Sequence, residues 1–323
     1  MQDMTSPDKA AHTAPGWERE TLEKLAFATL REQRAARRWK VFLRLAWLGF
    51  LVALLWLVYV DMTPSTTSVS TPHTALVEVR GEISSDSEAS AQAIIGSLRS
   101  AFEDPGALAV VLLINSPGGS PVQAGIINDE IHRLKGLHQK PVYAVVEETC
   151  ASAAYYIAVA ADNIYVDKAS MVGSIGVLMD GFGFTGLMDK VGIERRLLTA
   201  GDNKGFLDPF SPINPQQDAH ARQMLGDIHQ QFIEVVRKGR GERLQATPET
   251  FSGLVWSGQR AVSLGLADDL GSLEQVAREV VKAEEIVDYT QRENVAQRLA
   301  RRFGAGVGES MMRTLGSGSF SLR

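Results

Sequence analysis

Hydrophobic and polar positions divide the 323 residues into three regimes. Residues 45–60 carry no charge, and with 41–44 they make a stretch of 20. At about 1.5 Å per residue, that length crosses the apolar core of a bilayer. The stretch has no polar face, unlike a helix packed in a soluble core. It starts too late, and ends too bulkily at Tyr59-Val60-Asp61, for a cleaved signal peptide. One uncleaved transmembrane helix is therefore expected over 41–60, with Trp39, Trp47, Trp56 and Tyr59 suited to the membrane interface. Residues 61–74 mix Ser, Thr and Pro and predict a linker. From residue 75 the periodicity becomes that of a globular domain. Strands are predicted at 75–80, 108–114, 141–146, 163–166, 173–178, 195–198 and 285–289. Helices are predicted at 87–102, 121–135, 152–161, 215–240, 256–264 and 272–284. Segment 108–114 is apolar throughout, as in a strand buried on both faces. Strands alternating with helices predict an α/β domain over 75–289 with a largely parallel sheet core. The pattern fades in 290–323, where Arg and Gly mix; this tail reads as a mobile or oligomer-contact arm.

Charge gives the first segment a direction. Residues 1–40 are polar and then basic; Arg31, Arg34, Arg37, Arg38, Lys40 and Arg44 crowd the start of the apolar run, and no Lys or Arg occurs in 61–79. The positive-inside rule places the N-terminus in the cytoplasm and residues 61 onward across the membrane. In a bacterium this means an inner-membrane protein with a periplasmic domain. The net charge of −5 carries no signature of nucleic-acid binding. A single cysteine, Cys150, excludes an intrachain disulfide. The six histidines show no metal-ligand spacing, so neither metal nor cofactor is expected.

The candidate chemistry lies in three places. Ser152 follows one predicted strand and opens a predicted helix. It reads either as a helix N-cap or as a nucleophile whose neighbour, Ala153, offers a free amide. Asn115-Ser116-Pro117-Gly118-Gly119 reads as a turn, a phosphate cradle or a loop that presents the Gly119 N–H to an oxyanion. No P-loop or dinucleotide glycine pattern accompanies it. Lys204 reads as a solvated loop lysine or as a base. A lysine ordinarily titrates near about 10.4 and becomes a base at neutral pH only when desolvated. Phe206, Leu207 and Phe210 could dry it, while Asp202 and Asp208 would oppose that effect. Cys150, Glu147, Glu148 and Asp162 read as structural. No histidine occurs between His138 and His220.

Four segments in this order, Asn-Ser-Pro-Gly-Gly at 115–119, Ala-Ser-Ala-Ala-Tyr-Tyr-Ile-Ala at 151–158, Val-Gly-Ser-Ile-Gly-Val at 172–177 and Ala-Gly-Asp-Asn-Lys at 200–204, resemble the signal peptide peptidase A family. The resemblance runs over about residues 75–289. It implies the ClpP/crotonase-like fold and a serine endopeptidase with Ser152 as nucleophile and Lys204 as general base. It further implies that Ser174 orients the lysine and that the Gly119 and Ala153 amides form the oxyanion hole. The implied substrates are signal peptides and hydrophobic segments left in the membrane. The implied assembly is a homo-oligomer, an octamer by analogy with short family members, in which Ser152 and Lys204 meet across an interface. Alternatives are a SohB-like peptidase acting on other membrane proteins and a catalytically weakened scaffold of the same fold. This chain departs from the family in Ala153-Ala154, where Gly-Gly is usual, and in lacking an aromatic residue just before Lys204.

Overall fold

The computed structural model describes residues 37–56 and 71–292. The chain divides into two compact units, residues 1–67 and 68–323. In the first, helix α1 (Arg37–Trp56) has 20 residues and a mean hydropathy of 1.6 over its most apolar window, with none of that window buried in protein. By length and composition it is able to cross a membrane. It covers positions 41–56 of the expected span and the basic residues 37–40 before it. Positions 57–60 of the expected span lie outside the described residues, as do residues 1–36.

The second unit is built on one sheet. Strands β1 (His73–Arg80), β2 (Ala107–Ser116) and β3 (Val142–Ala151) lie side by side and parallel, joined through helices α2 (Ala91–Glu103) and α3 (Pro121–His138). The helices start where their caps require: the hydroxyls of Ser90 and Ser120 accept from Ala93 N–H and Gln123 N–H, and Pro121 occupies the first turn of α3. Short α4 (Ala153–Ala158) follows β3, and then come β4 (Asn163–Val166) and β5 (Met171–Gly173), both parallel to β3. After α5 (Thr185–Val191) and the long α6 (Pro215–Arg240), β6 (Val255–Ser257) adds antiparallel to β5. Helix α7 (Gly258–Ser263), β7 (Asp269–Leu270), α8 (Leu273–Gln275) with its π-helical continuation Val276–Val281, and β8 (Ile286–Asp288) complete the unit. The strand order is β6-β5-β3-β2-β1-β8, with β4 on β3 and β7 on β4.

The apolar run in β2 explains the layering. Alternate residues Val110, Leu112 and Ile114 face α2, α3 and α4, where Leu98, Ile131 and Ile157 meet them in the main core. Val111 and Leu113 face a smaller core with Leu76, Val145 and Val276. A strand covered on both faces has no polar position to offer, which is why its sequence does not alternate.

Several elements differ from the sequence expectations. β1 begins at His73, so the expected linker ends by residue 72. Its first two residues are buried: His73 Nε2 lies 2.9 Å from the Tyr289 hydroxyl, which donates to Asp104 Oδ2 at 2.6 Å, and Thr74 Oγ1 donates to the Ala283 carbonyl at 2.7 Å. The strand expected at 173–178 is instead Met171–Gly173, because Gly173 (φ +114°) and Ser174 (φ +51°) turn the chain out of the sheet. No strand forms at 195–198, which is exposed. The helix expected at 256–264 splits into β6 and α7, with Ser257 capping α7. The helix expected at 152–161 contracts to Ala153–Ala158. Residues 291 and 292 still belong to the unit, with Gln291 N–H on Ser97 Oγ and Arg292 on Glu78; the rest of the expected tail, 293–323, lies outside the described residues.

Helix α6 is fastened at its C-terminal end. Arg240, 1% exposed, makes a bidentate pair with Asp268 at 2.9 and 2.8 Å and donates to the Gly265 carbonyl at 2.7 Å. Burial alone would push the Asp268 carboxyl up, but hydrogen bonds from Arg240 and from the Ile164 amide outweigh it and hold it below the usual carboxylate range. The stability from this group is therefore present above the usual carboxylate range and is lost as pH falls through the lowered value. Arg240→Met is expected to cost up to about 3 kcal/mol, less than a fully stranded buried charge, because Arg243 still reaches Asp268 at 3.1 Å. Denaturation of Asp268→Asn at a series of acidic pH values should show a shallower loss of stability than the parent protein.

Candidate active site

Ser152 sits between β3 and α4 at φ +54°, ψ −123°, a region that costs a non-glycine residue about 1–3 kcal/mol. Its N–H donates to the Gly173 carbonyl at 2.8 Å, and its carbonyl accepts from Tyr156 N–H at 3.0 Å. An N-cap serine has extended backbone and turns its hydroxyl onto the helix. Ser152 has neither property, since its side chain makes no capping bond. The result is a strained strand-turn-helix elbow that holds a half-buried hydroxyl clear of the backbone. The Ala153 N–H, at the first position of α4, has no carbonyl behind it in the helix.

The Gly-Gly loop after β2 lies directly against this elbow. A Cβ on Gly118 (φ +105°) would come within 2.7 Å of Ser152 Cβ and 2.8 Å of the Ala151 carbonyl. On the other side, Ile83 forms a one-residue parallel bridge to Gly119: Ile83 N–H donates to the Gly118 carbonyl, and Ser120 N–H donates to the Ile83 carbonyl, both at 2.8 Å. In this pattern the N–H and carbonyl of Gly119 itself point away from Ile83. A Cβ on Gly119 would meet the Ile83 carbonyl at 2.2 Å.

Ser174 adjoins the elbow through Gly173, which accepts the Ser152 N–H. It is half-buried at φ +51°, and its own N–H donates to the Leu254 carbonyl at 2.8 Å. Two residues there escaped the sequence reading. The Trp256 ring edge lies 3.1 Å from where a Gly173 Cβ would stand, and its buried Nε1–H has no partner among the described residues. The alternating Val255-Trp256-Ser257 between two glycines is the signal that could have placed it on a strand. His229, from α6, brings Nε2 to 3.1 Å from the Ile175 carbonyl, a contact no sequence spacing announces.

Lys204 stands apart. It is exposed in a turn, with its backbone N–H on the Gly201 carbonyl at 3.1 Å. Its ammonium has no hydrogen-bond or ion-pair partner among the described residues. The structure thus gathers Ser152, Ala153, Gly119 and Ser174, and no hydrogen bond among the described residues joins Lys204 to them. Cys150 is fully buried, and burial pushes its thiol far up, as a packing residue's would be. Among the described residues, no group of three or more His, Cys, Asp and Glu side chains converges as metal ligands would. A cavity of about 520 Å³ is lined by Leu113, Val145, Glu147, Asp167 and Leu270, among others; none of the candidate residues lines it.

Comparison with known proteins sets this geometry in a family. Residues 136–287 match the description "Peptidase family S49". A "Putative protease MJ0651" from Methanocaldococcus jannaschii is 33% identical over 219 residues, covering 64% of this chain and 69% of that protein. The chain belongs to peptidase family S49. Its sheet, parallel apart from β6, gives the α/β fold class expected from the sequence. The S49 chain is also 32% identical over 222 residues to Protease 4 of Haemophilus influenzae, covering 67% of this chain and 35% of that one. It is 47% identical over 178 residues to a protein of Brucella melitensis named Na(+)/H(+) antiporter NhaA, covering 55% of this chain. It spans only 24% of that relative's length.

The contact between Gly118 and Ser152 makes a sharp prediction for this S49 domain. Gly118→Ala should abolish labelling by a fluorophosphonate probe and lower the melting temperature. Gly125→Ala is the control, since nothing lies within 4 Å of the added methyl on α3. It should label normally and gain about 0.5–1 kcal/mol of stability.

Proposed function

We propose that this chain is a membrane-anchored serine endopeptidase in which Ser152 is the nucleophile and Lys204 of an apposed copy is the general base. One observation carries the reading: Ser152 stands on a strained elbow with no capping bond from its side chain, against the Gly118-Gly119 loop, and the Gly119 and Ala153 amides have no backbone acceptor among the described residues. Ser152 Oγ attacks the scissile carbonyl while the amine takes its proton. The two amides receive the charge that develops on the carbonyl oxygen. The protonated amine then donates to the leaving nitrogen, and water, deprotonated in turn by the amine, releases the acyl group from Ser152. Ser174, next to the elbow, orients the amine.

A lysine serves as a base at neutral pH only where it is desolvated. Lys204 is exposed in the single chain, so the reading requires another molecule to cover it. The surrounding segment supports that requirement. Leu178, Phe182, Leu198 and Ile213 are 81, 79, 95 and 86% exposed, an unusual density of bare apolar surface for a periplasmic domain. A second copy seated on this segment, in a ring such as an octamer, would dry Lys204 and bring it to a neighbour's Ser152. Helix α1 and the basic residues before it support an inner-membrane anchor with a cytoplasmic N-terminus. Peptides held at the bilayer, foremost the signal peptides left after preprotein cleavage, are the substrates within reach of the short tether.

Two single variants and their mixture test this. Ser152→Ala and Lys204→Met should each lose about 10⁴-fold or more in kcat on a signal-peptide substrate. Full activity in Lys204→Met would remove the lysine from the mechanism. When the two inactive chains are coexpressed and assembled together, activity should return, because each supplies the group the other lacks. A mixture no more active than its components would confine both groups to one chain.

A further inference from the structure

The loop facing Ser152 carries three consecutive amide donors, from Gly118, Gly119 and Ser120, and two of them are already engaged. Ser120 N–H is held by the Ile83 carbonyl at 2.8 Å. Gly118 N–H is held by the side chain of Ser116, at 3.2 Å from its Oγ. Only the Gly119 N–H lacks an acceptor among the described residues.

Each peptide plane in the loop is therefore gripped by a different group. The 118–119 plane is held at its oxygen by Ile83 N–H, and the 119–120 plane at its N–H by the Ile83 carbonyl. The 117–118 plane is held at its N–H by Ser116 Oγ alone. Pro117 has no N–H of its own to add to that grip. Gly118 sits at φ +105°, where a glycine backbone turns with little steric resistance. Without the Ser116 oxygen, the 117–118 plane is free to rotate and swing its N–H toward Ser152. Passed through the Gly118 torsions, the same rotation pulls on the next plane, which carries the Gly119 N–H and is held only by the Ile83 N–H on the Gly118 carbonyl. Ser116 is well placed to prevent this. It is fully buried, it ends β2, and it pairs across the sheet with Cys150, two residues before Ser152. Its oxygen is thus fixed to the same ladder that carries the nucleophile.

We propose that Ser116 is a positioning residue: its hydroxyl oxygen immobilises the Gly118 amide so that Gly119 alone presents its N–H to the oxyanion formed at Ser152. This rests on the reading of Ser152 as nucleophile, and it assigns a role in the reaction to a serine that touches no substrate. The bland alternative is a serine that merely closes a turn. That role would change how much protein folds, and not the turnover of each correctly folded site.

The test uses the full-length chain in detergent. Active sites are counted by the end-point stoichiometry of fluorophosphonate labelling, and kcat is expressed per labelled site. Ser116→Ala is expected to lower kcat per site by about tenfold or more, as for a misaligned oxyanion donor. KM should stay within about twofold, since the lost interaction is made only in the transition state. Affinity for a peptide aldehyde, which forms a tetrahedral adduct bearing the oxyanion, should fall by the same factor as kcat. Ser116→Thr, which keeps the γ-oxygen, should recover most of the turnover. Ser116→Cys, close in volume with a weaker acceptor, should fall between the two and serves if the alanine variant does not fold. An unchanged kcat per site in Ser116→Ala or Ser116→Cys, or a loss confined to KM or to the number of labelled sites, overturns the proposal. Failure of the underlying reading looks different: Ser152→Ala would then retain activity whatever residue 116 is.

Discussion

A single register change in the β2–β3 ladder sets the level at which the two loops meet. Ile114 pairs with Val146, but the next pair is Ser116 with Cys150, so β3 carries two more residues than β2 across the break. Counting on from that pair puts Gly118 level with Ser152. Without the extra residues, the elbow and the Gly-Gly loop would end at different heights above the sheet, and no amide could face the hydroxyl. With them, the backbones come so close that the loop residue cannot bear a side chain. Bulges that re-aim a chain next to an active centre are a recurrent device in sheets.

The strain at the elbow is sustained by what lies behind it. Ala154, Tyr155 and Ile157 are buried without residual exposure, and the Tyr155 hydroxyl donates to the Leu266 carbonyl at 2.7 Å. Asn128 on α3 donates to the Tyr156 carbonyl at 2.8 Å, tying the first turn of α4 to the neighbouring helix. Small residues on α4 let this packing reach the sheet closely. The alanines at 153 and 154 belong to that packing: both are buried, so their methyl groups are directed into the protein, and the Ala153 amide stays available at the helix start. The two methyl groups are thus accommodated by the core.

Much of this was legible in the residues, for identifiable reasons. The buried strands β2 and β3 announce themselves as apolar runs, and α6 is bounded by Asn214-Pro215 in front and Gly241 behind, signals that local chemistry enforces. The elbow serine could be picked out by its position between strand and helix, yet its freedom from capping could not, because that depends on a backbone angle. Elements near residue 173 were misplaced because Gly173 and Ser174 take left-handed conformations at the end of a three-residue strand, too short to show alternation. Trp256 was read onto a helix because the strand that holds it exists only by pairing with β5, a partner about 85 residues away. Lys204 marks the furthest limit: the sequence motif singles it out, while the folded chain leaves it exposed in a turn.

The position of β1 has a mechanical meaning. It leads directly from the segment that follows α1, and it is flanked by β2 on one side and β8 on the other, both running parallel to it. A pull transmitted along the chain toward His73 loads β1 along its own axis, so the hydrogen bonds on its two flanks resist together in shear instead of opening one by one as in a peeled edge. The contacts from His73 through Tyr289 to Asp104 stand at the very point where such a load arrives. A load arriving from the preceding segment would thus fall on a strand braced along both flanks.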